Sequence, residues 1–207
     1  MDYHFCISRP AFFKNSPKNK LVLLAKIKPL NIDTKELFGA SSFIITSKNA
    51  LLALPKNCPK KPIFTLSLAS AKAAKDRGFT HIYTAKSPYG SALFKELACS
   101  KRPLYFAAKY GLLKGQILSA PLFLRGKNII TSKQDRARVK NLKELVTYEV
   151  EAISWPNALS LKPNDRAYFY SPNCVRMALA AGFELKQAQK IAIGKSTQKA
   201  IREAFSS

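Results

Sequence analysis

Residues 168–205 constrain the fold of this chain more than any other stretch. Short apolar runs alternate there with runs of helical composition, and small hydroxyl residues stand where one kind of run gives way to the other. A strand is predicted at 167–170, and Ser171-Pro172-Asn173 then supplies cap and first-turn residues for a helix that ends before Gly182. This order is typical of a βα unit in a parallel sheet.

A second βα unit follows at once. The strand predicted at 190–193 ends at Gly194, and Ser196 or Thr197 can cap the helix that runs to about Phe205. Hydroxyls and free amides are therefore expected at two neighbouring helix N-termini, at the carboxyl end of a parallel sheet. Such a place binds anions, because the unpaired N–H groups and the positive end of the helix dipole point the same way.

The same signature occurs 124 residues earlier in the chain. The spacing of Ser171 and Asn173 recurs there, and so does the three-residue step from Gly194 to the Thr197 hydroxyl. The earlier copies are Ser47 with Asn49 and Ser67 with Ser70. Two copies so far apart indicate a pair of similar domains and not a solenoid.

The repeated signature predicts an α/β fold of two flavodoxin-like, parallel-sheet lobes joined by a two-stranded hinge, with the first lobe discontinuous. Pro29 lies in an extended segment, and residues 145–153 alternate in polarity, so each is expected to cross between the lobes. A cleft between lobes is the usual ligand site. The predicted bounds are 1–28 plus 152–207 for the first lobe, 33–147 for the second, and about 26–32 and 147–153 for the hinge segments.

Two segments of the second lobe need separate treatment. Residues 104–108 could form a strand, but 122–124 has the better claim because it ends at the basic turn Arg125-Gly126-Lys127. Residues 131–143 are predicted as a polar helix in which Ser132 and Asp135 are spaced as a capping box.

The net charge of +23 needs an explanation, and the possible partners are nucleic acid, an anionic membrane or a polyanionic small molecule. The 35 Lys and Arg residues are scattered, and a solvated basic surface explains that pattern at least as well as a specific site. The sequence has no zinc-finger spacing, aromatic ribonucleoprotein motif or basic zipper, so nucleic-acid binding ranks last. No apolar run suits a membrane helix or a signal peptide, and we expect a cytoplasmic protein.

The cysteines and histidines exclude several chemistries. The four cysteines lie far apart without a Cys-x-x-Cys pair, and the two histidines are isolated. We therefore expect neither a metal site nor a disulfide framework, and nucleophilic mechanisms that depend on His have little support.

The chain resembles the uroporphyrinogen-III synthase family in an ordered set of short motifs. Gly126 precedes Tyr148 by 22 residues, close to the usual gap in that family. The matching pieces are Ile7-Ser8-Arg9-Pro10, Phe43-Ile44-Ile45-Thr46-Ser47-Lys48-Asn49-Ala50, Tyr148 in its strand, Phe169-Tyr170-Ser171-Pro172-Asn173-Cys174-Val175, and Ile191-Ala192-Ile193-Gly194-Lys195-Ser196-Thr197-Gln198-Lys199-Ala200.

The resemblance implies two flavodoxin-like lobes that work without a cofactor. It also implies the reaction, which is cyclisation of hydroxymethylbilane to uroporphyrinogen III with loss of water and inversion of the last pyrrole ring. Hydroxymethylbilane is a linear tetrapyrrole with eight carboxylates, so the expected receptor is a basic cleft with many amide and hydroxyl donors. Because ring closure also occurs in water, the enzyme's task is mainly to position the substrate.

Tyr148 is the catalytic candidate, since it matches the tyrosine of the family and a phenol can donate a proton to the departing hydroxyl. Without the resemblance, a strand tyrosine is more often a packing residue. The hydroxyls are interpreted as donors to acetate and propionate groups or simply as helix caps, and the cations as carboxylate partners or simply as solvated charges. The predicted substrate-binding residues are Arg9, Ser47, Lys48, Ser70, Arg125, Lys127, Ser171, Asn173, Ser196 and Thr197.

One alternative belongs to a different class. A non-catalytic two-lobed protein that closes on a carboxylated or phosphorylated ligand predicts the same helix ends but gives Tyr148 no role in turnover. In either case we expect a monomer that binds a small polycarboxylate and neither nucleic acid nor a membrane.

Overall fold

The computed structural model describes residues 1–7, 13–87, 90–99, 101–112, 114–127, 129, 132–155 and 159–205. The chain divides into two compact units. The first comprises Met1–Ile27 and Val150–Ser207, and the second comprises Lys28–Glu149.

Strands and helices alternate along most of the chain. The strands are β1 (Asp2–Cys6), β2 (Asn19–Leu23), β3 (Ala25–Pro29), β4 (Ser42–Ile45), β5 (Ile63–Thr65), β6 (Ile82–Thr84), β7 (Pro121–Gly126), β8 (Lys143–Ala152), β9 (Arg166–Phe169) and β10 (Gln189–Ala192). The helices are α1 (Thr34–Gly39), α2 (Leu68–Asp76), α3 (Gly90–Ala98), α4 (Lys101–Lys109), α5 (Lys114–Ile117), α6 (Lys133–Arg138), α7 (Pro172–Ala180) and α8 (Lys195–Phe205), and Lys48–Leu51 forms a 3₁₀ helix.

The first unit contains a four-stranded sheet in the order β10-β9-β1-β2, and all its neighbouring strands are parallel. Phe5 of β1 pairs with Phe169 of β9, and their rings stack with centroids 5.0 Å apart. Phe183, which follows α7, packs edge-on against Phe5 at 5.2 Å. Helices α7 and α8 cover this aromatic face, which forms the core of the unit.

The second unit contains a six-stranded sheet in the order β3-β8-β7-β4-β5-β6. The pairs from β8 through β6 are parallel. Strand β4 is central, and all four of its residues are buried, as expected for a parallel strand covered on both faces. Both β3 and β8 cross from one unit to the other, and they are neighbours in this sheet.

Two parallel sheets with flanking helices confirm the predicted α/β class. The β9-α7-β10-α8 order also confirms the two βα units predicted at the end of the chain. Gly182 follows α7 with φ = 80°, the left-handed conformation expected of a helix-ending glycine.

The strand predicted at 122–124 is confirmed as part of β7, whereas residues 104–108, the less favoured strand candidate, are helical and lie within α4. Phe106 and Ala107 are buried while Tyr105 is 75% exposed, so this apolar run belongs to an amphipathic helix, a distinction that composition alone does not make.

The polar helix predicted at 131–143 is shorter than expected. Ser132 is its N-cap, and Ser132 Oγ accepts from Asp135 N–H at 3.0 Å and donates to Asp135 Oδ2 at 2.8 Å. The helix ends at Arg138, however, because Val139 is extended and buried in the core of the second unit.

Candidate functional site

The candidate catalytic residue lies at the carboxyl end of the second sheet. Strands β4, β7 and β8 are adjacent and parallel, so the residues at their carboxyl ends meet at one edge. Ser47 follows β4, Lys127 follows β7 and Tyr148 lies within β8. Of the residues predicted for the site, this edge carries Ser47, Lys127 and Tyr148.

The ring of Tyr148 packs against the backbone of Gly126. A register shift between Arg125 and Gly126 sets Gly126 opposite Tyr148, and Lys127 N–H donates to the Tyr148 carbonyl at 2.8 Å. A Cβ built on Gly126 would lie 2.7 Å from Tyr148 Cζ and 3.0 Å from its hydroxyl oxygen. Only glycine leaves room for the ring in this position. The sequence analysis noted the 22-residue step from Gly126 to Tyr148 but predicted no role for Gly126.

The surroundings of Tyr148 keep its phenol protonated. Tyr148 is 5% exposed. Burial raises the pKa of the phenol above its ordinary value of 10.0, and a hydrogen bond with the Ser47 side chain opposes that rise without cancelling it. The hydroxyl therefore holds its proton at neutral pH, as a proton donor must.

Ser47 has two interactions at the end of β4. It is the N-cap residue of the 3₁₀ helix, and its Oγ accepts from Asn49 N–H at 3.2 Å. The same side chain lowers the pKa of Tyr148, against the larger effect of burial. Lys48, the next residue, is exposed at the start of this helix.

Ser70 lies buried in the first turn of α2, which follows β5, the strand next to β4. Ser67 is the N-cap of α2 and accepts from Ser70 N–H at 3.2 Å, while the two hydroxyl oxygens lie 3.1 Å apart. Ser70 is 2% exposed. Its hydroxyl therefore already interacts with the cap of its own helix.

Arg125 and Lys127 differ in their surroundings. The Arg125 guanidinium donates to Glu144 at 2.7 Å and to the carbonyl oxygens of Gly126 and Ile129 at 3.1 and 2.9 Å. These bonds tie the turn after β7 to β8. Lys127 is more open, with a side chain that is 64% exposed and bonded to Glu149 at 3.2 Å.

Glu149 of β8 forms ion pairs with a lysine of β3 and with a lysine in the turn after β7. It accepts from Lys127 and lies 3.3 Å from Lys28 of β3. These bonds, with Lys127 first and Lys28 second, lower the pKa of its carboxyl below the ordinary value of 4.5. Glu149 is therefore ionised at neutral pH and offsets part of the positive charge at this edge.

In the first unit, Ser171 and Asn173 lie at the start of α7, directly after β9. Ser171 caps the helix, and its Oγ accepts from Cys174 N–H at 3.3 Å. Asn173 is exposed, and its Oδ1 accepts from Arg176 at 2.7 Å. The predicted cap is confirmed, and the helix start presents both side chains at the carboxyl end of the first sheet.

Ser196 and Thr197 do not cap α8, contrary to the prediction. The helix begins at Lys195, and Gln198 N–H donates to the Gly194 carbonyl at 2.9 Å, so Gly194 occupies the cap position. Ser196 is exposed in the first turn, whereas Thr197 is 2% exposed. The predicted helix started too late because its capping residue is a glycine, which carries no side-chain acceptor.

Sequence reasoning missed a polar aromatic cluster in the first unit. His4 Nδ1 lies 2.8 Å from the Tyr170 hydroxyl, and the His4 ring stacks on Tyr168 at 4.7 Å. Burial lowers the pKa of His4 below 6.5, against an opposing effect of Asp2. His4 and Tyr170 lie 166 positions apart in the sequence, so only the parallel pairing of β1 with β9 brings them together.

Arg9, the remaining predicted residue, lies outside the described residues. Within the described ranges, no group of three or more His, Cys, Asp or Glu side chains could hold a metal ion. No helix in the same ranges is long and apolar enough to cross a membrane.

Comparison with known proteins identifies the fold. No protein-family model and no curated protein matches the chain. The structure is similar to the crystal structure of uroporphyrinogen-III synthetase from Helicobacter pylori 26695, with 23% identity over 98% of this chain and 88% of that chain and a TM-score of 0.65. A Thermus thermophilus uroporphyrinogen III synthase aligns at 12% identity over 89% of this chain and 80% of that chain, with a TM-score of 0.39 that is too low to support a conclusion about the fold. The first likeness confirms the fold that the sequence resemblance implied.

Proposed function

We propose that this protein is a uroporphyrinogen-III synthase that cyclises hydroxymethylbilane with inversion of the last pyrrole ring. The observation that carries the proposal is the setting of Tyr148, a buried phenol that lies against Gly126 at the carboxyl end of a parallel sheet and whose pKa is raised by burial. The similarity in fold to the H. pylori synthetase supports it.

Tyr148 acts as the general acid in this proposal. The bond between the terminal methylene carbon and its hydroxyl oxygen breaks, and the electron pair stays with the oxygen. That oxygen takes a proton from the phenol and leaves as water, which generates a cationic azafulvene. The last pyrrole ring attacks the azafulvene through its substituted carbon, which forms a spiro intermediate. The bond from that carbon to its old methylene bridge then breaks, and the bridge re-bonds at the unsubstituted α-carbon of the same ring, which inverts the ring. That α-carbon loses its proton as the ring regains aromaticity, so the phenolate can be reprotonated and the reaction balances.

The anionic substrate would be held by donors at the carboxyl ends of the sheets. Exposed Lys48, Asn173 and Ser196 lie in first helical turns, where backbone N–H groups and the helix dipole favour carboxylates. Ser171 adds a hydroxyl at the same end of α7. Lys127 adds an exposed cation after β7. We also propose Arg9, which follows β1 in the sequence, as a carboxylate partner.

The remaining predicted residues would act less directly. Arg125 is bonded to Glu144 and the turn carbonyls, and we assign it to holding that turn. Ser70 and Thr197 are buried at the third position of α2 and α8, where they would order the first helical turn. We also propose that the protein acts as a cytoplasmic monomer without a cofactor.

The test is to add the purified protein to freshly generated hydroxymethylbilane, oxidise the products and separate the uroporphyrin isomers by chromatography. We expect a large excess of the type III isomer. Formation of the type I isomer alone, at the rate seen without protein, would overturn the proposal and favour a non-catalytic anion-binding protein. Heat-denatured protein is the control for the uncatalysed reaction.

A further inference from the structure

We infer that His4 is a positioning residue for the start of α7, as the neutral tautomer that carries its proton on Nδ1 and donates it to the Tyr170 hydroxyl oxygen. Tyr170 stands between the last residue of β9 and Ser171, the N-cap of α7. The effect on substrate binding rests on the proposed function. The tautomer does not, and it can be measured alone.

The first step is that neighbouring rings fix the orientation of the His4 ring. His4 is level with Tyr168 in the pairing of β1 with β9, and the two rings stack with centroids 4.7 Å apart and planes 7° apart. Phe13 packs against His4 in an edge arrangement at 5.0 Å. In this orientation Nδ1 lies 2.8 Å from the Tyr170 hydroxyl oxygen, which is the distance of an ordinary hydrogen bond.

The second step concerns which nitrogen of His4 carries the proton. A neutral imidazole has one N–H donor and one acceptor nitrogen. Nε2 is buried and has no hydrogen-bond partner within the part of the chain that the structure describes. A proton on Nε2 would therefore be a buried donor without an acceptor, at a cost of about 1–3 kcal/mol.

The other tautomer suits this environment better. With the proton on Nδ1, His4 donates to the Tyr170 oxygen, and only a lone pair on Nε2 is left without a partner. Among buried backbone groups an unpaired N–H is rarer than an under-used acceptor, and the same preference applies to the two nitrogens of a buried imidazole. The cation would need donors on both nitrogens. Burial lowers the pKa of His4 below 6.5, which agrees with a neutral ring.

The third step leads from Tyr170 to the predicted carboxylate site. The chain bends at Tyr170, between β9 and α7. Ser171 and the exposed Asn173 follow within three residues, at the carboxyl end of the first sheet. Because the Tyr170 side chain is bonded to the neighbouring strand through His4, the bend is held in one direction. The two predicted donors are thus ordered before a ligand arrives, which lowers the entropic cost of binding.

The experiment separates the ring of His4 from its donor. His4→Phe keeps an aromatic ring on Tyr168 and removes the donor, whereas His4→Asn loses the ring but places an amide N–H where Nδ1 was. Tyr170→Phe removes the acceptor. His81→Phe is the matched control, because His81 also packs edge-on against an aromatic ring, that of Tyr110 at 4.8 Å, but lies beside β6 in the second unit.

The first readout is the tautomer of His4, from nitrogen NMR of protein labelled at histidine. At about pH 8 a histidine with an ordinary or lowered pKa is neutral, and the shifts of its two nitrogens show which one carries the proton. The chain has two histidines, so the signals that remain in His81→Phe belong to His4. We expect the proton on Nδ1. A proton on Nε2 would overturn the inference, whatever the kinetic result.

The second readout is KM and kcat for type III product. His4→Phe and Tyr170→Phe should each raise KM about threefold to tenfold, the worth of one hydrogen bond, with kcat little changed. The double variant should have the KM of either single variant, since both residues act through one bond. His4→Asn should recover most of the loss, and His81→Phe should keep the wild-type KM.

An unchanged KM in His4→Phe, or independent effects of the two residues in the double variant, would overturn the positioning role and leave His4 as a packing residue. If His4→Phe does not fold, His4→Gln replaces it, because its amide reaches the position of Nε2 and not that of Nδ1. If the wild-type protein forms no type III product, the effect on substrate binding fails with the proposed function. The tautomer then still decides whether His4 donates to Tyr170.

Discussion

The ring of Tyr148 lies against the backbone of Gly126 so closely that a Cβ on Gly126 would be 2.7 Å from Tyr148 Cζ and 2.9 Å from Cε2. Both residues are buried, and Tyr148 comes from the neighbouring strand. The position of the phenol therefore depends on the absence of a side chain at residue 126.

Gly126→Ala should displace the Tyr148 ring, because real Cβ atoms do not approach other atoms this closely. Overpacking of this kind costs about 1–3 kcal/mol of stability, measurable by denaturant unfolding. We expect kcat for type III product to fall more than the folded fraction does, since positioning errors in an active site cost rate directly.

Gly39→Ala is the matched control for that variant. A Cβ at Gly39, the last residue of α1, would meet nothing within 4 Å. It should leave both kcat and stability close to wild type. Equal activity of the Gly126 and Gly39 variants would show that the close contact has no role in turnover.

Tyr148→Phe tests the general acid directly. The ring remains on Gly126 and only the hydroxyl is lost, so we expect stability to change by about 1 kcal/mol or less. Loss of general acid help should lower kcat by about 10²–10⁴-fold with KM little changed. A kcat within twofold of wild type would reduce Tyr148 to a packing residue, provided that circular dichroism shows both proteins folded.

Ser171→Ala separates helix capping from substrate binding. Loss of the bond to Cys174 N–H should destabilise the protein by about 1 kcal/mol, as for other N-caps. Ser132→Ala removes the equivalent bond to Asp135 N–H on α6 and should cost about the same. Only Ser171→Ala is expected to raise KM for hydroxymethylbilane. The same KM in both variants would leave Ser171 as a cap alone.

Replacement by Met should lower stability at Arg125 and weaken substrate binding at Lys127. Arg125→Met breaks the bonds to Glu144 and the turn carbonyls and should cost about 1.5–3 kcal/mol of stability. Lys127→Met removes an exposed ion pair worth less than about 1 kcal/mol. We expect it to raise KM instead, with a dependence on ionic strength that is weaker than in the wild type. Unchanged KM and salt dependence would exclude Lys127 from the site.

Local chemistry accounts for what the sequence predicted correctly. The cap at Ser171 and the turn at Gly182 depend on residues within one helix, so their spacing is visible in the chain. The N-cap of α8 was missed because Gly194 has no acceptor side chain to mark it. The strand at 122–124 was correctly preferred to one at 104–108, which is helical because a short apolar run suits a buried helix face equally well.

The arrangement around Tyr148 could not be predicted in the same way. Gly126 and Tyr148 come from two strands and Ser47 follows a third, and their placement at one edge depends on the strand order and on a register shift between β7 and β8. The pairing of His4 with Tyr170 likewise needs β1 to lie beside β9. Periodicity predicts which residues face a core, but it does not give strand order.

The last prediction concerns stability at alkaline pH. Burial, with a smaller effect of the Cys174 thiol, raises the pKa of Cys6 from its ordinary value of 9.0 to about 11. Below pH 9 both the folded and the unfolded chain hold the Cys6 proton, so ionisation of this thiol takes nothing from the free energy of unfolding. As pH rises from about 9 to 11 the unfolded chain loses the proton first, and about 2–3 kcal/mol of stability is lost.

Cys6→Ala should remove this part of the alkaline loss, because the titrating thiol is gone. It will also lower stability at neutral pH by a constant amount, since it deletes a buried group. The measurement is the free energy of unfolding in denaturant at about pH 8 and about pH 10.5. Cys99→Ala, which removes an exposed thiol, should keep the wild-type pH dependence. If Cys6→Ala lost as much stability between the two pH values as Cys99→Ala, the alkaline loss would have to come from other groups whose pKa burial raises, of which Cys58 and Tyr148 are the first to test.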